Sequence, residues 1–448
     1  MLTAELSNLL SVELYTWTHT SSLCAFPVSV KRGLPDPGWL ADLGRWSPAD
    51  CAVSSCHRDA TCYNQAVKRK PPKTSKTIDE APLARALLGK VNGLMAELCQ
   101  TRKTVNLMEV CGTHTRAISG FGIRRAVDPR LRLLSGPGCP VCVTTQEEID
   151  AAISVAGLPD VTVVTFGDMM RVPGSRSATA ARARTSLEQE KARGADVRVV
   201  YSALDALRLA EAGPERQFVF LGVGFETTAP TVAATVLAAQ KSGVRNFTVL
   251  PMFKTIPAAL DAIASSDRVN VDGFILPGHV STIIGIRPYE FLRDKYRLPS
   301  CVVGFEALDV LQGIHMLLKQ MQTGPEVEIQ YRRSVRPEGN EMAQQVMDTV
   351  FVPCDATWRG IGMIAGSGLT FRKDFAGFDA RKRFRIAIRH SPFAIRQSPC
   401  RCGDVMLGVI VPPECKLFAK TCTPESPVGP CMVSTEGACA AYYKYELA

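Results

Sequence analysis

From Ala81 onward the chain keeps to two alternating rhythms. Leu83, Leu87, Leu88, Val91, Leu94, Met95 and Leu98 recur at helical spacing and predict an amphipathic helix. Short apolar runs then alternate with helical stretches. VNLMEV (105–110), LRLLS (131–135), VTVVTF (161–166), VRVVYS (197–202), QFVFLGVG (217–224), FTVLPMF (247–253), DGFILPG (272–278) and CVVGF (301–305) predict buried strands. APTVAATVLAAQKSG (229–243) and EALDVLQGIHMLLKQM (306–321) predict helices between them. Apolar strands separated by helices imply parallel sheets covered on both faces. The expected fold is α/β, with two similar doubly wound parallel-sheet domains at 79–215 and 216–335. Two such domains suit the series better than one barrel, because the loops after the strands carry different motifs.

The two ends of the chain break this rhythm. Residues 1–78 hold three of the four tryptophans, show no sustained periodicity and end near the basic, Pro-containing KRKPPKTSKT, which reads as a linker. They predict a poorly ordered extension, although Cys51, Cys56, Cys62 and His57 could form a small metal site. The stretch RKRFRIAIRHSPFAIRQSPCR (381–401) has no acidic residue and is a candidate docking face for an acidic partner. Six cysteines follow between Cys400 and Cys439, so 336–448 is expected to be a small C-terminal metal domain.

Composition narrows the classes. An apolar content of 46% with 21% charged residues describes a globular chain. A formal charge of +9 over 448 residues is modest, and no helix interleaves basic and aromatic residues, so nucleic acid is not expected as a partner. No apolar run reaches the roughly 18 residues of a membrane span. MLTAELSNLLSVELY lacks the basic start of a secretory signal. These features point to a cytoplasmic protein without membrane contact. In a reducing compartment, sixteen cysteines argue for metal binding or redox chemistry rather than structural disulfides.

Several loops carry candidate chemistry. In MEVCGTHT (108–115), Cys111 falls where a strand should end and a helix begin, a position that favours thiolate through the helix N-terminus. His114, one turn on, could share its proton or act as a second ligand; the alternative is a half-buried cysteine beside a capping Thr113. In GPGCPVC (136–142), Cys139 and Cys142 can form a reversible disulfide or half of a metal site. The absence of a second Cys-x2-Cys favours the redox pair. GVGFETTAP (222–230) lacks the spacing of a phosphate loop, so Glu226, Thr227 and Thr228 are better placed as polar groups facing a cleft. His279 in LPGHVSTIIG (276–285) ends another strand and is either structural or catalytic. Cys402, Cys415, Cys422 and Cys439, at intervals of 13, 7 and 17 residues, suit an iron–sulfur cluster better than paired zinc knuckles. Cys400 and Cys431 lie nearby.

With these residues in view, the chain resembles the HypD family of [NiFe]-hydrogenase maturation proteins. MEVCGTHT, SGPGCPVCVT, GFETTAP, LPGHVSTIIG, CRCGDVMLG and EGACAAYY follow the family's motifs in order, over residues 81–447. The resemblance implies an assembly factor, monomeric alone, with two similar α/β domains and a third carrying a [4Fe–4S] cluster. It implies work with a small HypC-type chaperone and a HypE-type cyanide donor to build the Fe(CN)2(CO) unit of the hydrogenase. On this chain Cys111 would hold the iron beside His114, and Cys139 and Cys142 would be the redox dithiol. Glu226 and His279 would belong to the same site. Cys402, Cys415, Cys422 and Cys439 would bind the cluster, with Cys431 excluded. Such a protein is a redox-active maturation factor rather than a conventional small-molecule enzyme. Two competing classes need no iron at Cys111: a thiol–disulfide oxidoreductase with a structural cluster, and a pure binding scaffold.

Overall fold

Most of the expected apolar runs become strands covered on both faces; the run at 197–202 is corrected, since it gives an edge strand at Asp196–Val199 with Arg198 and Val199 exposed. In the computed structural model, which describes residues 80–175, 185–386 and 399–447, β1 (Val105–Glu109), β3 (Val161–Thr165), β6 (Phe247–Pro251), β7 (Gly273–Pro277) and β8 (Ser300–Val303) are buried along their whole length. The remaining parallel strands are β2 (Leu131–Ser135), β4 (Asp196–Val199), β5 (Gln217–Gly222) and the short β9 (Val327–Ile329). A hairpin, β10 (Phe351–Trp358) and β11 (Gly362–Phe371), is antiparallel. The N-terminal extension, with Cys51, Cys56, Cys62 and His57, lies outside the described residues, as does most of the basic run.

Sheet membership does not follow chain order. The first sheet runs β2-β1-β7-β8-β9 and the second β4-β3-β5-β6. The expected boundary at 215/216 is therefore corrected: the whole second sheet is inserted between β2 and β7. β1 pairs in parallel with β2 on one edge and β7 on the other. A buried central strand needs partners on both edges. A long insertion adds little to the cost of joining them, since loop-closure entropy grows only logarithmically with length.

The helices that frame the sites are α1 (Glu80–Leu98), α2 (Gly112–Gly120), α3 (Pro140–Val143), α4 (Gln146–Ala156), α5 (Ala229–Ser242), α6 (Ile256–Ala264), α7 (Gly278–Ile284), α8 (Ala307–Thr323), α9 (Glu341–Val350), α10 (Cys402–Met406) and α11 (Ala438–Tyr445). α1 and α8 cover one face of the first sheet, with Val91, Met95, Leu107, Ile275, Val310 and Leu317 in one core. Each such side chain contributes about 1.5–3 kcal/mol by leaving water. Successive residues alternate faces, so Leu107 enters this core while Met108 enters another. That second core is shared by both sheets and the cysteine segment, through Leu221, Leu276, Met406 and Met432.

The expected C-terminal unit at 336–448 also divides. Val350, Phe351, Leu369 and Phe371 pack into the core of the second sheet, while Trp358 and Ile364 of the hairpin enter the shared core. The segment from Cys402 packs on the first sheet instead, with Gly408 against Met108 and Leu134. Among the described residues no helix is long and apolar enough to cross a membrane.

Candidate functional site

In the first sheet the strand order reverses between β1 and β7, and the crevice beyond the carboxyl ends of such strands is where open α/β sheets take ligands. Cys111 follows β1 there, as the N-cap of α2. Its backbone N–H donates to Glu109 Oε2 at 3.1 Å, and Thr115 Oγ1 donates to Glu109 Oε1 at 2.5 Å. Glu109 is fully buried, and burial pushes its carboxyl up to about 7 against the pull of Thr115 and Arg124.

The free thiolate expected at Cys111 is corrected by its surroundings. Burial, reinforced by the Glu436 carboxylate, pushes the thiol up to about 12. A nine-residue helix offers only a partial charge at its start, and desolvation outweighs it. Deprotonation at Cys111 therefore calls for a cation or metal at the sulfur.

His114 is buried, and its pKa falls to about 4 because burial penalises the charged ring. Nε2 lies 3.1 Å from Val303 O and 2.9 Å from Gly304 O. Carbonyls only accept, so Nε2 carries the hydrogen and Nδ1 is left as an acceptor without a partner among the described residues. Phe305 sits between the two histidines, with ring centroids 4.8 Å from His114 and 4.1 Å from His279. The end of β8 and the loop after it, which supply those carbonyls and Phe305, thus bring His114 and His279 to one edge.

The loop after β2 lies against the Cys111 loop. Gly112 N–H donates to Gly138 O at 2.9 Å. A Cβ on Gly138 would stand 2.1 Å from Cys111 N, so only glycine permits this approach. The next residue, Cys139, caps α3, and Cys139 and Cys142 are joined in a disulfide with Cα atoms 5.2 Å apart.

The second sheet reverses between β3 and β5, and the loops there carry Asp168 and Glu226. Glu226 Oε1 accepts from Ile256 N–H at 2.9 Å, while Oε2 is buried without a partner among the described residues. Burial raises this carboxyl to about 7. Buried Tyr289 is pushed up by burial and then by the charge of Glu226, and Cys111 adds a smaller effect, which places the three groups in one neighbourhood. Thr228 packs against Gly224.

The C-terminal thiols are gathered by a different route. Cys400, Cys402, Cys415, Cys422 and Cys439 line one cavity with Gly429 and Met432. Among the described residues no three ligating side chains close on a single point; the thiols ring the space. A Cβ on Gly429 would lie 2.3 Å from Cys400 Sγ and 2.7 Å from Cys402 Sγ, so the cradle is shaped around the sulfurs. Cys400 and Cys402 sulfurs are 2.9 Å apart.

This segment is tied to the Cys111 site. Thr113 Oγ1 donates to Glu436 Oε1 at 3.1 Å, and Ser434 Oγ donates to Asp168 Oδ2 at 2.8 Å. Glu446, which caps the C-terminus of α11, accepts from Ser119 of α2 and from Arg124 in the short helical turn that follows α2. Sequence reasoning missed Glu109, Asp168, Tyr289, Ser434 and Glu436. For Glu109 a signal existed, an acid inside an apolar strand; Tyr289 and Glu436 gave none.

Comparison with known proteins follows this geometry. The HypD family profile, described as the hydrogenase formation hypA family, matches residues 84–446. The chain is 45% identical over 356 residues to the hydrogenase maturation factor HypD of Rhizobium leguminosarum bv. viciae, covering 78% of this chain and 90% of the relative. It is 41% identical over 377 residues to HypD of Rhodobacter capsulatus (83% and 98%) and 44% identical over 346 residues to HypD of Escherichia coli K12 (77% and 90%). With the profile spanning most of the chain and the relatives covered nearly end to end, the chain belongs to the HypD family.

Proposed function

We propose that the chain is a hydrogenase maturation factor that holds an iron unit at Cys111 while its cyanide and CO ligands are installed, with a HypC-type chaperone and a HypE-type cyanide donor as partners. The supporting observation is the convergence at one sheet edge of a buried thiol, a neutral histidine with an unpartnered Nδ1, and a Cys139–Cys142 disulfide on the adjoining loop. Iron, as the substrate here, supplies the charge that lets Cys111 lose its proton. His114 Nδ1 then accepts a proton or takes a ligand position, and Glu226, carrying a proton near neutral pH, can donate one.

In the reduced state Cys139 and Cys142 hold two electrons and two protons. With a thiocyanate-type donor, the S–C bond breaks as the S–S bond forms. One proton goes to the donor sulfur and one to the released cyanide, so atoms and electrons balance. Returning the disulfide to the dithiol takes two electrons, and a [4Fe–4S] cluster in the C-terminal cavity would supply them singly. Cys402, Cys415, Cys422 and Cys439 fit as its ligands. Cys400 lines the same cavity with its sulfur 2.9 Å from that of Cys402, which supports a second arrangement in which Cys400 takes the place of Cys402.

Infrared spectra of the protein purified anaerobically with its small partner test the reading. Wild type should show CO and CN stretches. Cys111→Ala should fold, keep its C-terminal iron and show neither band. Bands of normal intensity in that variant would sink the assignment and leave a thiol–disulfide oxidoreductase ahead. Single Ser substitutions at Cys400 and Cys402, read by iron content, decide the fourth ligand.

A further inference from the structure

A second cavity, of about 210 Å3, lies between the carboxyl end of β6 and the β10–β11 hairpin. None of the cysteines or histidines of the proposed iron site lines it. Its walls are Phe253 and Leu369, and its polar groups are Lys254, Glu148, Arg381 and the thiol of Cys354. Lys254 is 1% exposed and Glu148 4%. Lys254 Nζ donates to Glu148 Oε1 at 2.6 Å, and no other partner for it is found among the described residues. An ammonium has three donors, so two point from a buried atom with nothing to meet them. Arg381 donates from Nη2 to Pro251 O, while its buried Nε has no partner among the described residues.

The charges define what would fit. The second oxygen of Glu148 is engaged by Thr145 N–H at 2.9 Å, so that carboxylate is committed to α4 and to Lys254. Asp355 also borders the cavity, but its residue is exposed and Oδ1 accepts from Gly366 N–H. Arg381, half-buried, brings a second cation to the cavity, and Lys254 and Arg381 together present three N–H groups without protein acceptors among the described residues. Buried donors without acceptors are costly, and a desolvated cation more so. The space is smaller than a drug-sized pocket of roughly 300–1,000 Å3. It equals on the order of seven waters at about 30 Å3 each.

We propose that this cavity is a binding site for a small oxyanion, a carboxylate or phosphate group. One oxygen takes the free N–H groups of Lys254 and another takes Arg381 Nε–H. Cys354 is a thiol at the edge of the site: burial raises its pKa, while Arg381 and Lys254 pull the other way. It serves as a reporter and not as a nucleophile.

The test follows alkylation of Cys354 in the full-length reduced protein by iodoacetamide, read at that peptide by mass spectrometry. Sodium acetate and potassium phosphate are titrated against sodium chloride at matched ionic strength. Saturable protection of Cys354 by acetate or phosphate, and not by chloride, is expected; protection by acetate alone marks a planar carboxylate site, by phosphate alone a tetrahedral one. Arg381→Gln should weaken that protection at least about tenfold, the loss of one charge-assisted hydrogen bond. Lys254→Met alone would strand Glu148 and risk unfolding. The double variant Lys254→Met, Glu148→Gln removes both charges and should abolish protection while keeping the wild-type circular dichroism. Absence of saturable protection, equal protection by chloride, or wild-type protection in both variants would overturn the proposal.

Discussion

His114 and Glu226 are two buried groups whose titrations pull stability in opposite directions. For His114 the folded pKa of about 4 lies below the ordinary 6.5, so the unfolded chain binds the proton first and stability is lost as pH falls from about 6.5 to 4. For Glu226 the folded value of about 7 lies above 4.5, so the folded chain holds the extra proton and stability is lost as pH rises from about 4.5 to 7. Glu226→Gln keeps the shape and deletes the second effect. Urea unfolding at pH 4.5 and pH 7 should show the variant gaining, relative to wild type, on the order of 3 kcal/mol across that interval. An identical pH dependence in both proteins would mean that Glu226 is ionised in the folded state. The expectation of a thiolate at Cys111 failed for a reason of this kind. Helix position is visible in the chain, but the burial and the Glu436 carboxylate come from segments far apart in sequence.

Elements were legible where both faces of a strand are covered. β1, β3, β6, β7 and β8 read as mostly apolar runs because no position on them meets water, and the few polar residues on them, such as Asn106 and Glu109, are buried too. β9 has no fully buried residue and ends its sheet, so it left no such run. The cysteine and histidine loops were legible as strand-end chemistry, yet which loops would meet was not, because that depends on strand order. The meeting of the β1 and β2 loops rests on Gly138. Gly138→Ala should cost about 3 kcal/mol or more in urea unfolding, as overpacking against a backbone that cannot yield. It should also alter the reduction potential of Cys139–Cys142, measured against a glutathione couple, because Cys139 is the next residue. A variant with wild-type stability and potential would show that the two loops are not mechanically joined.

At the scale of the molecule, the cysteine segment is a bridge. Ser434 bonds to Asp168 beyond β3 of the second sheet, and Glu436 to Thr113 beyond β1 of the first. Removing Ser434 and Glu436 together, as Ala, should leave unchanged the iron content of the C-terminal cluster proposed above. Native-state hydrogen exchange should then rise at α2 and at the loop carrying Asp168. Unchanged protection at both would mean that packing alone holds the three parts.

The insertion of one sheet into the other has a consequence for synthesis on the ribosome. β1 emerges early, but its second partner, β7, is made only after the whole inserted sheet. Until then Val105–Glu109 presents an unpaired parallel edge, apolar on both faces, which is a template for association with other chains. The inserted strands β3 to β6 meet no such delay and can close first. Nascent chains arrested at residue 300, where β6 has left the exit tunnel and β7 has not, should show protease protection over 161–165 and 196–251 while 105–135 is still cleaved. Chains arrested well past residue 335 should protect both. The molecule would thus be completed from its middle outward, and the edge that later carries Cys111 would be among the last parts to become native.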